Sequence, residues 1–268
     1  MKIGVMDSGV GGISTLREIV KLFPNDDIIY YGDCKNAPYG NKNRDEIYIL
    51  TENIINYFIN CNVDYVVIAC NTASIASKEK LRRKYSLPIL ALEPAVKLAC
   101  DNNFNKKDIL VLATKFTINS YEYEKNVEKY KGNFNIISIA IPEFVVLVEN
   151  IFKKNHKEEF IKKEVYLILD KYLSNVDIEK INHIVLGCTH FPFLKKYINE
   201  YFFDKNININ FYDGNISISK YLFKLVNGRE VEQNFDFGKK SILNDKIKFI
   251  NSLGDEYLDV MEKMFVYE

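Results

Sequence analysis

Short runs of consecutive apolar residues alternate along the chain with longer segments whose apolar positions recur every three or four residues. KIGVMD at 2–7 is followed by a segment with Leu16, Ile19, Val20 and Phe23 on one helical face, then by DIIYYGD at 27–33. This is a βαβ opening. The pattern continues through DYVVIAC at 64–70, LPILALE at 87–93, DILVLAT at 108–114, FNIISIA at 134–140, HIVLGC at 183–188 and ININFYD at 207–213. These runs are apolar almost throughout, which predicts strands covered on both faces and therefore parallel sheet flanked by helices. The closing stretch KIKFINSLGDEYLDVMEKMF reads as a last strand and an amphipathic helix that serve as scaffold.

Polar, Asn-rich stretches at 101–107 and 203–210 are where the chain is expected to cross between domains. The pieces they delimit echo one another: KIGVMDS then DYVVIACNT in one, DILVLAT then NHIVLGCTH in the other. The predicted fold is α/β with two similar domains, each a mostly parallel sheet between helices. Residues 1–97 with 208–268 form the first and 98–207 the second. In open α/β sheets ligands bind beyond the carboxyl ends of the strands. The active site is therefore expected in the cleft between the domains.

With 47% apolar residues, 18 Tyr and 18 Phe, the 268-residue chain can bury a substantial core, which excludes a disordered protein. Lys plus Arg and Asp plus Glu number 36 each, so the basic excess of a dedicated nucleic-acid binder is missing. No apolar run reaches the roughly 18 residues of a membrane span, and MKIGVMDSG has no signal-peptide character. A cytoplasmic protein with no membrane or nucleic-acid partner is expected. Five widely spaced cysteines without an export signal point to free thiols. Three histidines and no CxxC or HExxH leave little from which to build a metal site.

Chemistry concentrates at the strand ends. Cys70 ends VVIAC and precedes NTAS, whose Thr72 and Ser74 suit the N-cap of a helix carrying Lys78 and Leu81. Cys188 ends IVLGC and precedes THFP, where Pro192 suits the first turn of a helix bearing Leu194 and Ile198. A thiol at a helix N-terminus is shifted toward thiolate by the aligned amide dipoles and becomes a usable base. A single Cys ending a buried strand is ordinarily a small core residue, but two matched copies favour chemistry. Cys34, Cys61 and Cys100 lack that setting and read as structural. The glycines Gly9, Gly11 and Gly12 after the first strand could expose amides to an anion. Gly9, Gly11 and Asp33 partly match a dinucleotide fingerprint, yet Ser14 takes the third glycine position and Asp7 would repel a pyrophosphate. Asp7 fits better as the partner of a substrate ammonium or as an acid/base group beside a thiol. His190 could serve a Cys/His hydrolase, act as a general acid, or simply cap a helix.

The ordered set DSGVGG at 7–12, CNTAS at 70–74 and GCTHFP at 187–192 closely resembles the glutamate racemases of the cofactor-independent aspartate/glutamate racemase superfamily. PYG at 38–40, LEPAVK at 92–97 and the LAT..T..S..Y run from Leu112 to Tyr121 extend the resemblance over most of the chain. Two departures are Val146, where the family usually has Pro, and Gly214, where it more often has Ser. The resemblance implies an isomerase that interconverts L- and D-glutamate by two-base proton transfer at Cα and supplies D-glutamate for peptidoglycan. It implies neither pyridoxal phosphate nor metal, and a homodimer. By the same resemblance Cys70 takes the proton from D-glutamate and Cys188 from L-glutamate, Asp7 and His190 assist them, and Glu149 is an auxiliary carboxylate. Asp7, Ser8, Tyr39, Gly40, Asn71, Thr72, Thr189 and His190 match substrate-contacting positions. An aspartate racemase of the same superfamily, a Cys/His hydrolase and a non-catalytic amino-acid-binding regulator are the rival readings.

Overall fold

The structure is a computed structural model that describes residues 1–103, 107–154, 156–238 and 241–267. In chain order the elements are β1 (Lys2–Asp7), α1 (Ile13–Leu22), β2 (Asp27–Gly32), α2 (Arg44–Asn60), β3 (Tyr65–Ile68), α3 (Asn71–Lys84) and β4 (Ile89–Ala91). There follow α4 (Val96–Asp101), β5 (Asp108–Ala113), α5 (Lys115–Ile118), α6 (Tyr121–Glu128), β6 (Ile136–Ala140), α7 (Pro142–Lys154), α8 (Glu158–Leu173), β7 (Ile181–Gly187), α9 (Lys195–Phe203) and β8 (Asn210–Tyr212). The chain closes with α10 (Asn215–Asn227), β9 (Ile247–Asn251) and α11 (Leu258–Val266).

Every apolar run singled out in the sequence contains a strand, and the described strands form two sheets, ordered β4-β3-β1-β2-β9 and β6-β5-β7-β8. All ladders are parallel. The central strands β1 and β5 are buried from their second residue on, as strands covered on both faces must be. Leu16, Ile19, Val20 and Phe23 are all buried, so the helical period of the first segment marks the face of α1 turned to the core.

Two compact units result, Met1–Glu93 with Gly214–Glu268, and Pro94–Asp213. The chain thus leaves the first unit several residues before the polar stretch at 101–107, of which 104–106 lie outside the described residues, and returns after Asp213. The residues after Glu93 belong to the second unit because Val96, Ala99 and Cys100 of α4 pack against Ile109, Val111 and Val185. Those up to Asp213 belong there because β8 pairs with β7. The return point is tightly packed. A Cβ on Gly214 would stand 2.6 Å from Leu92 Cδ1 and 3.0 Å from the Glu93 carbonyl oxygen, so the departure from Ser at this position has a steric reason. Val146, the other departure, lies on the exposed side of α7.

Candidate active site residues

Each sheet has one place where the chain reverses its direction of winding. In the first unit β2 lies on one side of β1 and β3 on the other; in the second, β6 and β7 flank β5 in the same way. The crevice beyond the carboxyl ends at such a point is where open α/β sheets bind ligands. Asp7 ends β1 and Cys70 follows β3; Thr114 follows β5 and Cys188 follows β7. The echo between the two halves of the sequence is therefore a repeat of one topological position.

In the first unit Cys70 is 5% exposed and is itself the N-cap of α3, its Sγ accepting from the Ala73 amide at 3.4 Å. The expected caps Thr72 and Ser74 instead lie inside the helix, and Ser74 Oγ donates to the Ile68 carbonyl oxygen at 3.1 Å. The helix starts early because the strand ends at Ile68 and the thiol can satisfy the third amide of the turn. The sulfur so placed lies against the positive end of a fourteen-residue helix, which favours thiolate. Its thiol also donates to Ser8 Oγ at 3.3 Å.

Asp7 is fully buried, and its Oδ2 accepts from the Gly9 amide at 2.9 Å. A Cβ on Gly12 would come within 2.6 Å of Asp7 Cβ, so a glycine there makes room for the carboxylate. This, rather than a dinucleotide, accounts for that part of the glycine cluster. Asn71 and Thr72 open α3 and are buried; among the described residues Asn71 Oδ1 has no hydrogen-bond partner. Tyr39 and Gly40 stand in the 3-10 turn Tyr39–Asn41 after a cis Ala37–Pro38 bond. Tyr39 is buried and donates to Asp33 Oδ2 at 2.7 Å. Burial, then the charge of Asp33, pushes its hydroxyl pKa far up, with smaller contributions from Cys70 and Asp7, so it stays protonated.

The second unit treats its thiol differently. Cys188 is 7% exposed, but the residues after it form a 3-10 turn, Phe191–Leu194, before α9 begins at Lys195. The expected match with Cys70 therefore fails at the helix. The Phe191 amide bonds the Cys188 carbonyl oxygen, and Pro192 lies in the tight turn rather than in an α-helix. His190 supplies what the helix does not: its Nδ1 lies 3.8 Å from Cys188 Sγ and its Nε2 3.0 Å from Glu149 Oε1 on α7. Burial works against a charged imidazole, but the hydrogen bonds and charges of Cys188 and Glu149 outweigh it and hold the His190 pKa well above the usual histidine range. Protonated on both nitrogens, His190 donates to the carboxylate on one side and the sulfur on the other. Thr189 is buried beside it.

The sequence reading did not single out Thr114 as a site residue. It occupies at β5 the place Ser8 has at β1, one residue past the strand, and its Oγ1 caps α5 by accepting from the Thr117 amide at 3.2 Å. The echo between the halves was the signal for it. Among the described residues no three His, Cys, Asp or Glu side chains converge as a metal-ligand set, and no helix is long and apolar enough to cross a membrane.

Comparison with known proteins agrees with this arrangement. A family model described as Asp/Glu/Hydantoin racemase matches residues 3–217. The glutamate racemase of Clostridium novyi is 44% identical over 201 residues, 75% of this chain and 74% of that one. The crystal structure of glutamate racemase from Campylobacter jejuni has a TM-score of 0.77 at 30% identity, covering 99% of this chain and 98% of that one. Glutamate racemase from Francisella tularensis, solved in complex with D-glutamate, has a TM-score of 0.74 at 26% identity, covering 100% and 94%. With the match spanning most of the sequence and both thiol-bearing strand ends, the chain belongs to the Asp/Glu/hydantoin racemase family.

Proposed function

We propose that the protein interconverts L- and D-glutamate by cofactor-independent proton transfer at Cα, using neither pyridoxal phosphate nor metal. The observation that carries this reading is the pair of buried thiols, each at the reversal point of its own parallel sheet and each with its own means of handling a proton. Inversion of a stereocentre needs one ionised base and one protonated acid on opposite faces of the carbon. Cys70 thiolate takes the Cα proton of D-glutamate, the electron pair stays on the substrate as a carbanion delocalised into the carboxylate, and the Cys188 thiol returns a proton to the other face. L-Glutamate runs the same steps in reverse, and each turnover leaves the thiols with exchanged protonation states.

Asp7 and His190 assist Cys70 and Cys188, and Glu149 keeps His190 charged. Ser8, Tyr39, Gly40, Asn71, Thr72 and Thr189 hold the substrate. A buried Asn71 Oδ1 without a donor suits the α-ammonium, which brings three. The amides opening α3 suit a carboxylate whose charge grows as the proton leaves. The names of the relatives support glutamate as the substrate. In this reading the enzyme is a cytoplasmic homodimer that supplies D-glutamate for peptidoglycan.

Proton NMR in deuterated buffer tests it: purified protein with L- or D-glutamate and no added cofactor or metal should wash out the Cα proton with inversion from either enantiomer. Exchange of aspartate alone would move the substrate. Binding without exchange would make the protein a regulator.

A further inference from the structure

Asp33 follows β2 and is 4% exposed, yet among the described residues no Lys, Arg or His pairs with its carboxylate. Its oxygens accept from the Tyr39 hydroxyl at 2.7 Å and from Asn36 Nδ2 at 3.0 Å, and its amide donates to the Asp7 carbonyl oxygen at 3.0 Å. A buried carboxylate compensated only by neutral donors is costly, and such groups are kept where position matters more than stability. The last strand braces the same loop. Ser252 Oγ accepts from the Lys35 amide at 2.9 Å, the Ser252 amide donates to the Gly32 carbonyl oxygen at 3.1 Å, and Asn251 Nδ2 donates to Cys34 Sγ at 3.0 Å.

We propose that Asp33 is a positioning residue of the reaction: by accepting the single hydroxyl hydrogen of Tyr39 it fixes that ring and the 34–41 loop that follows β2, and leaves the Tyr39 oxygen able only to accept. The oxygen then suits a donor such as an ammonium and cannot compete with the Ala73 amide as a donor to the Cys70 sulfur. The consequence for catalysis rests on the racemase reading; the fixing of the loop does not.

The test compares wild type, Asp33→Asn, Tyr39→Phe and the double variant, by amide hydrogen exchange of the 34–41 segment and by kcat and KM for both enantiomers. Asp33→Asn should speed exchange in that segment alone. It should also raise KM and lower kcat/KM about ten- to a hundredfold, the range for a hydrogen bond to a charged group. The losses should not multiply in the double variant, because both changes act on one hydrogen bond, Asn offering the Tyr39 hydroxyl a weaker, uncharged acceptor and Phe removing the donor. Unchanged exchange at 34–41, or losses that multiply, overturns the proposal. If Asp33→Asn does not fold, Tyr39→Phe decides: 34–41 exchange as slow as wild type overturns it. Wild type that leaves both glutamate enantiomers untouched defeats the racemase reading, and hydrogen exchange then decides the role of Asp33 by itself.

Discussion

His190 shows how one residue's chemistry is made by its surroundings. An imidazole buried beside nothing charged would lose its proton; one between Glu149 and Cys188 keeps it. A folded-state pKa raised above the unfolded value of about 6.5 stabilises the protein fully below that value, and the contribution fades as the pH climbs through the raised pKa. Urea denaturation of wild type and His190→Asn should therefore differ most near pH 6 and converge toward pH 10. A difference that stays constant across that range would show that His190 is neutral in the folded protein. The sequence made His190 a candidate through its place two residues after Cys188. It could not name Glu149 as the partner without the resemblance, because the pairing depends on where α7 lies against β7.

At the scale of elements, the two thiols look alike in sequence and differ in structure. Both end apolar strands, but Cys70 caps a fourteen-residue helix whereas Cys188 enters a 3-10 turn closed by its own carbonyl oxygen. Pro192 and the bulky Phe191, Phe193 and Leu194, buried or nearly so, favour the tighter turn. The cap gives Cys70 a structural role that can be separated from its proposed catalytic one. Cys70→Ala should lose about 1 kcal/mol of stability along with the reaction, whereas Cys70→Ser, whose hydroxyl also caps, should melt near wild type. Both should lower kcat by about a hundred- to ten-thousandfold, the usual share of a general acid or base. Thermal melts beside racemisation assays would check this, and an active Cys70→Ser would remove the thiol from the mechanism.

For the whole molecule, the closing stretch from Lys246, read from the sequence as a last strand and an amphipathic helix, forms both and completes the first sheet. β9 pairs with β2, and α11 buries Met261, Met264 and Phe265 at 0%, 0% and 1% exposure. Each such side chain is worth about 1.5–3 kcal/mol. Deleting residues 247–268 would strip that core and turn β2 into an open edge. The shortened chain should aggregate or melt far below the full one in circular dichroism. A stable, soluble truncation would show that the first unit holds together without its last strand.

The periodicity of apolar residues by itself determined the parallel α/β architecture and the strands, because strands buried on both faces leave an unbroken apolar signature. Strand ends next to small and hydroxyl residues likewise singled out Cys70, Cys188 and Asp7 as candidates. Only the tertiary structure decided which side chain stabilises each sulfur, why Gly12 and Gly214 bear no side chain, and what Asp33 holds. Those depend on approaches of a few ångströms between elements distant in sequence, such as Glu149 to His190, Gly12 to Asp7 and Asn251 to Cys34. Local patterning carries no record of such contacts, since many packings share one pattern and close contact selects among them.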